Sequence, residues 1–326
     1  MKRIQILCPV FREEEVILTF HERLVEATSA LQGRYIVSFI YAMDPSPDAT
    51  QEILFSLADR DPNVSVLVMS RRFGHQAALL AGLESCDCDA LVMMDSDGQH
   101  PPELIPELVA RWESGADIVQ TIRVDGEETR YLKRTTSAAF YRLIGRIGSI
   151  DLKQGAADYR LLSRNVIDVL VEDFPERNVF LRGIIAWIGF NISYVEFQPS
   201  RRMLGASKYR ASVLFNFAIQ GISSFSKVPL RICTITGLLV SSLSVLLGIG
   251  LVVSYIAGPS SAPGWASIVL IMTFLGGIQL FFMGIFGEYL GQVFDEVKQR
   301  PRYLVASRRG FDSPAGNAMS GADENA

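Results

Sequence analysis

Two carboxylates two residues apart, Asp95 and Asp97, close the apolar run Val92-Met93-Met94 and are followed by Gly98 and Gln99. Side chains alternate along a strand, so residues two apart project to one side, and Gly98 lets the chain turn away beyond them. Carboxylate oxygens suit Mg²⁺ or Mn²⁺, and a cation held there would offset the charge of a nucleotide diphosphate and stabilise it as a leaving group. The arrangement points to an enzyme handling nucleotide sugars. An isolated Asp-x-Asp is also read as a strand-end turn with solvated acids, so the surrounding chain has to decide.

From Ile4 to Thr121 short apolar runs alternate with amphipathic stretches, the pattern of a parallel sheet covered by helices. Strands are predicted at Ile4 to Cys8, Tyr35 to Tyr41, Val64 to Met69, Ala90 to Met94 and Asp117 to Thr121. Helices are predicted from about Glu14, Asp48, His75 and Pro102. Asp48 followed by Gln51 resembles a capping box, and Pro101-Pro102 fits a helix start. Ligands of open α/β sheets sit beyond the carboxyl ends of strands. That rule gathers Cys8-Pro9-Val10-Phe11, Asp44 to Asp48 and Asp95 to Gln99 at one edge.

Beyond Thr121 the pattern is mixed to about Gln220, with helices expected at Tyr131 to Ile147 and Asn165 to Val171. Two uncharged apolar runs follow, Ile232 to Ala257 and Trp265 to Gly287. Each is long enough to cross a hydrocarbon core of roughly 30 Å. Hydrophobic residues make up 49% of the 326, and the mean hydropathy is +0.23. Lys227 and Arg231 precede the first run, Lys298, Arg300 and Arg302 follow the second, and the turn between has no charge. The positive-inside rule then places the N-terminal domain and the tail in the cytoplasm, as expected for a multi-pass protein of the inner membrane. Residues 211–230 read as a juxtamembrane amphipathic segment, and an ordinary helix packed on the domain is the competing reading. The tail from 291 ends in a Gly, Ser and Asp-rich stretch expected to be disordered.

A net charge of -4 gives no global field for nucleic acid. Cys8, Cys86, Cys88 and Cys233 have no metal-binding spacing backed by histidines, which fits a reduced, cytosol-facing chain. No signal peptide is visible in the charged start that runs into the first strand. His75 and His100 read as helix-start or loop residues.

Cys-Pro-Val-Phe-Arg-Glu-Glu at 8 to 14, Asp-Pro-Ser-Pro-Asp at 44 to 48, Arg72-Phe73-Gly74-His75, the run from Asp95 to Glu103 and Arg202-Met-Leu-Gly-Ala-Ser-Lys-Tyr209 together resemble family 2 glycosyltransferases. More narrowly they are similar to polyisoprenyl-phosphate glycosyltransferases, over roughly residues 3 to 305. The resemblance implies a GT-A catalytic domain, Rossmann-like with a mostly parallel sheet, over residues 1–210. Two transmembrane helices would follow within 231–290. It implies sugar transfer from a nucleotide-sugar donor to a membrane polyprenyl phosphate, with Mg²⁺ or Mn²⁺, in a homo-oligomer expected to be a tetramer. UDP-glucose is the leading donor, with GDP-mannose, UDP-GlcNAc or a UDP-4-amino-arabinose derivative as alternatives.

Carried over by position, Pro9, Phe11 and Glu13 would contact the nucleoside, and Asp44 would lie near the base. Asp95, Asp97 and Gln99 would surround the metal and diphosphate, and Arg123 would approach the phosphates. Arg202, Ser207 and Lys208 would hold the donor diphosphate or the acceptor phosphate. Asp158 would orient the sugar near the reacting centre; a surface acid capping a turn is its plain alternative. The family often has two adjacent acids after the second strand, and here the first is Met43. A phosphate monoester is already anionic near neutral pH, so catalysis would rest on positioning and charge stabilisation rather than a strong base. In-line displacement would invert the anomeric configuration. A processive synthase would need Gln-x-x-Arg-Trp and more spans. A non-catalytic membrane scaffold with a degenerate domain is the remaining alternative.

Overall fold

The computed structural model describes residues 1–124, 153, 155–177, 180–199, 228–257 and 264–311. Eight strands are described: β1 (Lys2–Val10), β2 (Tyr35–Met43), β3 (Val64–Met69), β4 (Ala90–Met93), β5 (Ile118–Arg123), β6 (Ala156–Ser163), β7 (Ile192–Phe197) and β8 (Val305–Arg309). They form one sheet in the order β7-β5-β6-β4-β1-β2-β3-β8. The block β4-β1-β2-β3 is parallel, whereas β6 runs antiparallel between β4 and β5, and β8 antiparallel along β3. After β1 the chain adds β2 and β3 on one side and then β4 on the other. That reversal opens a crevice at the carboxyl ends of β1 and β4.

The helices are α1 (Ile17–Thr28), α2 (Thr50–Arg60), α3 (His75–Ser85), α4 (Ile105–Glu113), α5 (Arg164–Glu172), α6 (Leu181–Trp187), α7 (Val228–Ala257) and α8 (Trp265–Lys298). Both faces of the sheet are buried, which is why the central strands read as nearly unbroken apolar runs. Ile4, Ile6 and Cys8 pack with Phe20, Leu24, Leu54 and Leu108 from α1, α2 and α4. Leu7 faces the other way, with Leu79, Leu83, Ile167 and Ile184 from α3, α5 and α6. Gly82 lets α3 press onto β1, since a Cβ there would run into the Leu7 side chain.

The predicted strands and helices through β5 are present with shifted ends. Helix α1 starts at Ile17 rather than near Glu14 because the Glu13 carbonyl first accepts the Val16 and Ile17 amides in a turn. Asp48 stands outside α2, its Oδ1 accepting the Thr50 amide at 3.3 Å. The expected helix at Pro102 begins as a 3-10 turn, Pro102–Leu104. The helix expected at Tyr131 to Ile147, residues 211–227 and the tail from 312 lie outside the described residues.

Helices α7 and α8 contain windows long and apolar enough to cross a membrane, Leu230–Leu247 and Phe274–Lys298, with none of either window buried. The second helix runs on to Lys298, past the span expected to end at Gly287. The chain then returns to the sheet as β8, so part of the segment expected as a tail from 291 is a strand. Arg302 bonds Glu84 at 2.7 Å, the Leu304 carbonyl accepts the Ser70 amide at 2.8 Å, and Arg309 grips Asp59 through two nitrogens at 2.7 Å. Four of the five β8 residues are exposed, so backbone pairing at the sheet edge, with no apolar alternation, holds this strand.

Candidate active site

At the carboxyl end of β1, Pro9 is buried and its carbonyl accepts the Ser96 hydroxyl at 3.1 Å, tying the β1 exit to the loop after β4. Phe11 follows, and Arg12 adopts φ 60°, a left-handed turn at a non-glycine residue. The Arg72 guanidinium lies 4.2 Å from the Phe11 ring centroid. Glu13 donates its amide to the Thr50 hydroxyl at 3.1 Å, so its backbone is fixed against α2.

Asp44 is buried, and its oxygens accept the Phe73 and Gly74 amides at 3.0 and 2.9 Å. The structure therefore places this carboxylate under the Arg71-to-Gly74 loop, where it builds the loop that carries Arg72 and His75. Met43 is fully buried in the apolar core beside it. The position where the resemblance leads one to expect an acid is thus a packing position in this chain.

The loop after β4 carries the two acids. Asp97 accepts the Gln99 amide on Oδ1 and the Gln99 side-chain nitrogen on Oδ2, both at 3.0 Å. Arg123, at the end of β5, reaches the Gln99 oxygen at 3.2 Å, and its own amide is held by the Gly155 carbonyl at 2.8 Å. Gly155 has φ +84° and sits so close to the Arg123 carbonyl that a Cβ would meet it at 2.8 Å. Asp95 is half-buried; its Oδ1 meets His75 Nε2 at 2.8 Å, and its amide donates to His100 Nδ1 at 2.9 Å. Burial pushes the Asp95 carboxyl up, against the opposing pull of His100 and His75. Burial also lowers His100, consistent with a neutral ring that accepts at Nδ1.

Asp158, on β6, accepts Arg160 Nη2 on Oδ1 and Arg182 Nη2 on Oδ2, both at 2.7 Å. Burial works against the ionised form, but Arg182 and Arg160 hold the carboxyl at about 2. It is an anchored ion-pair partner, neither a proton acceptor at neutral pH nor a solvated turn cap. Its charge is felt by Asp95 and His100, so it belongs to the same cluster. Arg160 is itself fully buried, and its Nε and Nη1 have no hydrogen-bond partner among the described residues.

The structure thus brings together Asp95, Asp97, Gln99, Arg123 and Asp158, with Pro9 and Phe11 alongside. Arg202, Ser207 and Lys208 lie outside the described residues. Sequence reasoning missed His75, His100, Arg160 and Arg182 as members of the cluster. The signals of the first three were faint: a histidine after Gly74, a histidine next to Pro101, and an arginine inside an apolar strand.

The donor set suits a hard divalent cation. Among the described residues no three His, Cys, Asp or Glu side chains form a ready-made cage. Mg²⁺ usually takes one or two carboxylates plus substrate phosphates, with water completing the shell. Asp95 Oδ2 is a fitting first ligand: His100 Nδ1 stands 3.8 Å from it, and that nitrogen's lone pair already accepts the Asp95 amide.

A mostly parallel α/β sheet with paired acids at its strand-order reversal is the arrangement expected of a GT-A glycosyltransferase domain. Residues 5–170 match the model of glycosyl transferase family 2, and the chain belongs to that family. The bactoprenol glucosyl transferase of Shigella phage SfX is 39% identical over 307 residues, 94% of this chain and 100% of that protein. The prophage bactoprenol glucosyl transferase homolog of Escherichia coli (strain K12) is 38% identical over 303 residues, 93% of this chain and 98% of that protein. Among solved structures, glucosyl-3-phosphoglycerate synthase from Mycobacterium tuberculosis, in complex with Mn²⁺, UDP and phosphoglyceric acid, shares 20% identity at a TM-score of 0.44. That match covers 68% of this chain and 76% of the synthase.

Proposed function

We propose that this membrane enzyme transfers glucose from UDP-glucose to a polyprenyl phosphate, with inversion at the anomeric carbon. The observation that carries the reading is the joining of the Asp95-to-Gln99 loop, through one chain, to two bilayer-length apolar helices. The names of the relatives support glucose as the sugar and bactoprenol as the lipid. The charge asymmetry around α7 and α8 supports a cytoplasm-facing domain.

In this reading Asp95 and Asp97, with Gln99, would hold Mg²⁺ or Mn²⁺, whose charge would offset that of a diphosphate leaving group. Arg123 steadies Gln99 and adds positive charge beside the phosphates. Phe11, with Arg72 over its ring, offers the nucleoside a flat surface, and Pro9 and Glu13 fix the loop beneath. Asp158 positions Arg182 toward the reacting centre. Arg202, Ser207 and Lys208 supply the basic loop for donor or acceptor phosphate. The acceptor phosphate needs no proton removed, in agreement with an Asp158 that stays ionised.

The test is incubation of the detergent-purified protein with Mg²⁺, undecaprenyl phosphate and a panel of radiolabelled UDP- and GDP-sugars, followed by organic extraction. Lipid-linked label from UDP-glucose, absent in Asp97→Asn, is expected. Label from another donor alone would replace glucose; no label from any donor in folded protein would sink the transferase reading.

A further inference from the structure

We propose that His75 is a positioning residue: its imidazole N–H ties one oxygen of Asp95 so that the other is presented to the diphosphate-bound cation. The proposal rests on the metal-dependent transfer proposed above and adds a residue to that site.

Several features fix where His75 begins. It is the first residue of α3, directly after Gly74 at φ 97°. The Gly74 and Phe73 amides are held by buried Asp44 at 2.9 and 3.0 Å. From that fixed start the ring reaches across the crevice, and Nε2 stands 2.8 Å from Asp95 Oδ1.

The opposite side of Asp95 is equally determined. His100 is buried, stacked on Tyr159 with ring centroids 5.2 Å apart and an interplanar angle of 27°, and it meets the Phe197 ring edge-on at 5.7 Å. Tyr159 is anchored in turn by its hydroxyl on the Pro101 carbonyl at 3.0 Å. His100 Nδ1 accepts the Asp95 amide, so it has no proton to offer the carboxylate. Oδ2, 3.8 Å away, is left without a donor among the described residues.

The two histidines therefore divide the work. His100 sets the backbone of Asp95, and His75 sets the rotation of its carboxylate, with one oxygen satisfied and one bare. A half-buried carboxylate oxygen with no donor among the described residues is chemically suited to a hard divalent cation. Outer groups that orient a ligating carboxylate typically change metal affinity about 10–100-fold when removed. A small side chain at 75 would free the carboxylate to rotate.

The test is Mn²⁺ titration of the full-length protein in detergent with UDP and, separately, with GDP, followed by electron paramagnetic resonance, for wild type, His75→Ala and His75→Gln. Circular dichroism checks that each variant is folded. His75→Ala is expected to weaken Mn²⁺ binding about tenfold or more. His75→Gln, which keeps an N–H donor, is expected to stay close to wild type. Wild-type affinity in His75→Ala overturns the proposal, and so does a glutamine variant as weak as the alanine one. Failure of the wild type itself to bind Mn²⁺ with UDP or GDP would overturn both this proposal and the metal-dependent reading. Those results are separable from each other.

Discussion

Arg182 grips Asp158 with two nitrogens, Nη2 at 2.7 Å from Oδ2 and Nε at 3.3 Å from Oδ1. Because Arg160 holds the same carboxylate from inside the fold, removing the charge leaves a fully buried guanidinium without its anion. Asp158→Ala is expected to destabilise the domain by about 3–5 kcal/mol. Thermal unfolding measures it, and a loss below 1 kcal/mol would contradict the anchoring role. The folded carboxyl lies at about 2, below its unfolded value near 3.9. Its contribution is complete above the unfolded value and disappears as pH falls toward 2.

His21 gives a pH dependence nearer neutrality. It is buried within hydrogen-bond distance of the Tyr41 hydroxyl, Nδ1 to oxygen 2.8 Å, and burial lowers its pKa. The unfolded chain therefore takes up the proton first as pH falls. Stability should be full above about 6.5 and decline below it, through the folded value. Unfolding midpoints from pH 8 to 5 should fall in the wild type and fall less steeply in His21→Gln. Equal slopes would show that His21 is not responsible.

Gly82→Ala tests the packing of α3 on β1. Alanine gains about 1 kcal/mol of helix propensity, but its methyl group collides with fully buried Leu7. Overpacking costs about 1–3 kcal/mol, so a lower unfolding midpoint is expected. Gly82→Ala combined with Leu7→Val should recover part of the loss.

Asp97→Asn and chelation should act on the same step. Removing one carboxylate, or stripping divalent cations with EDTA, is expected to abolish lipid-linked product, and Mg²⁺ or Mn²⁺ should restore the chelated wild type but not the variant. Full activity in EDTA would overturn the metal roles of Asp95, Asp97 and Gln99.

The exposed Arg309–Asp59 pair should matter little by itself. Both side chains are about half exposed, 48% and 51%, so Arg309→Ala is expected to cost under about 1 kcal/mol. Ending the chain at Lys298 removes all the β8 backbone bonds at once. That truncation should lower the unfolding midpoint far more than the point variant does.

The parallel block was legible because burial on both faces writes itself as apolar runs, and Gly98 and Gly74 mark where loops leave it. Asp95, Asp97 and Gln99 were legible through their spacing. Strand β6 was harder: Asp158 and Arg160 interrupt it with charges whose compensation, from Arg182 24 residues beyond Asp158, is visible only in three dimensions. Asp44 was placed at the right edge, but its partners are backbone amides, which no side-chain pattern reports. His75 and His100 converge on one carboxylate from elements 25 residues apart, and neither has a local pattern that announces it.

The order of synthesis gives β8 another meaning. The strand that covers β3 is made after both apolar helices, so while the ribosome is still producing them the β3 edge presents unpaired amides and carbonyls to the surrounding solution. Completion of the sheet thus waits until both apolar helices have been synthesised. A soluble fragment cut before α7 would keep that edge permanently open and would be prone to self-association.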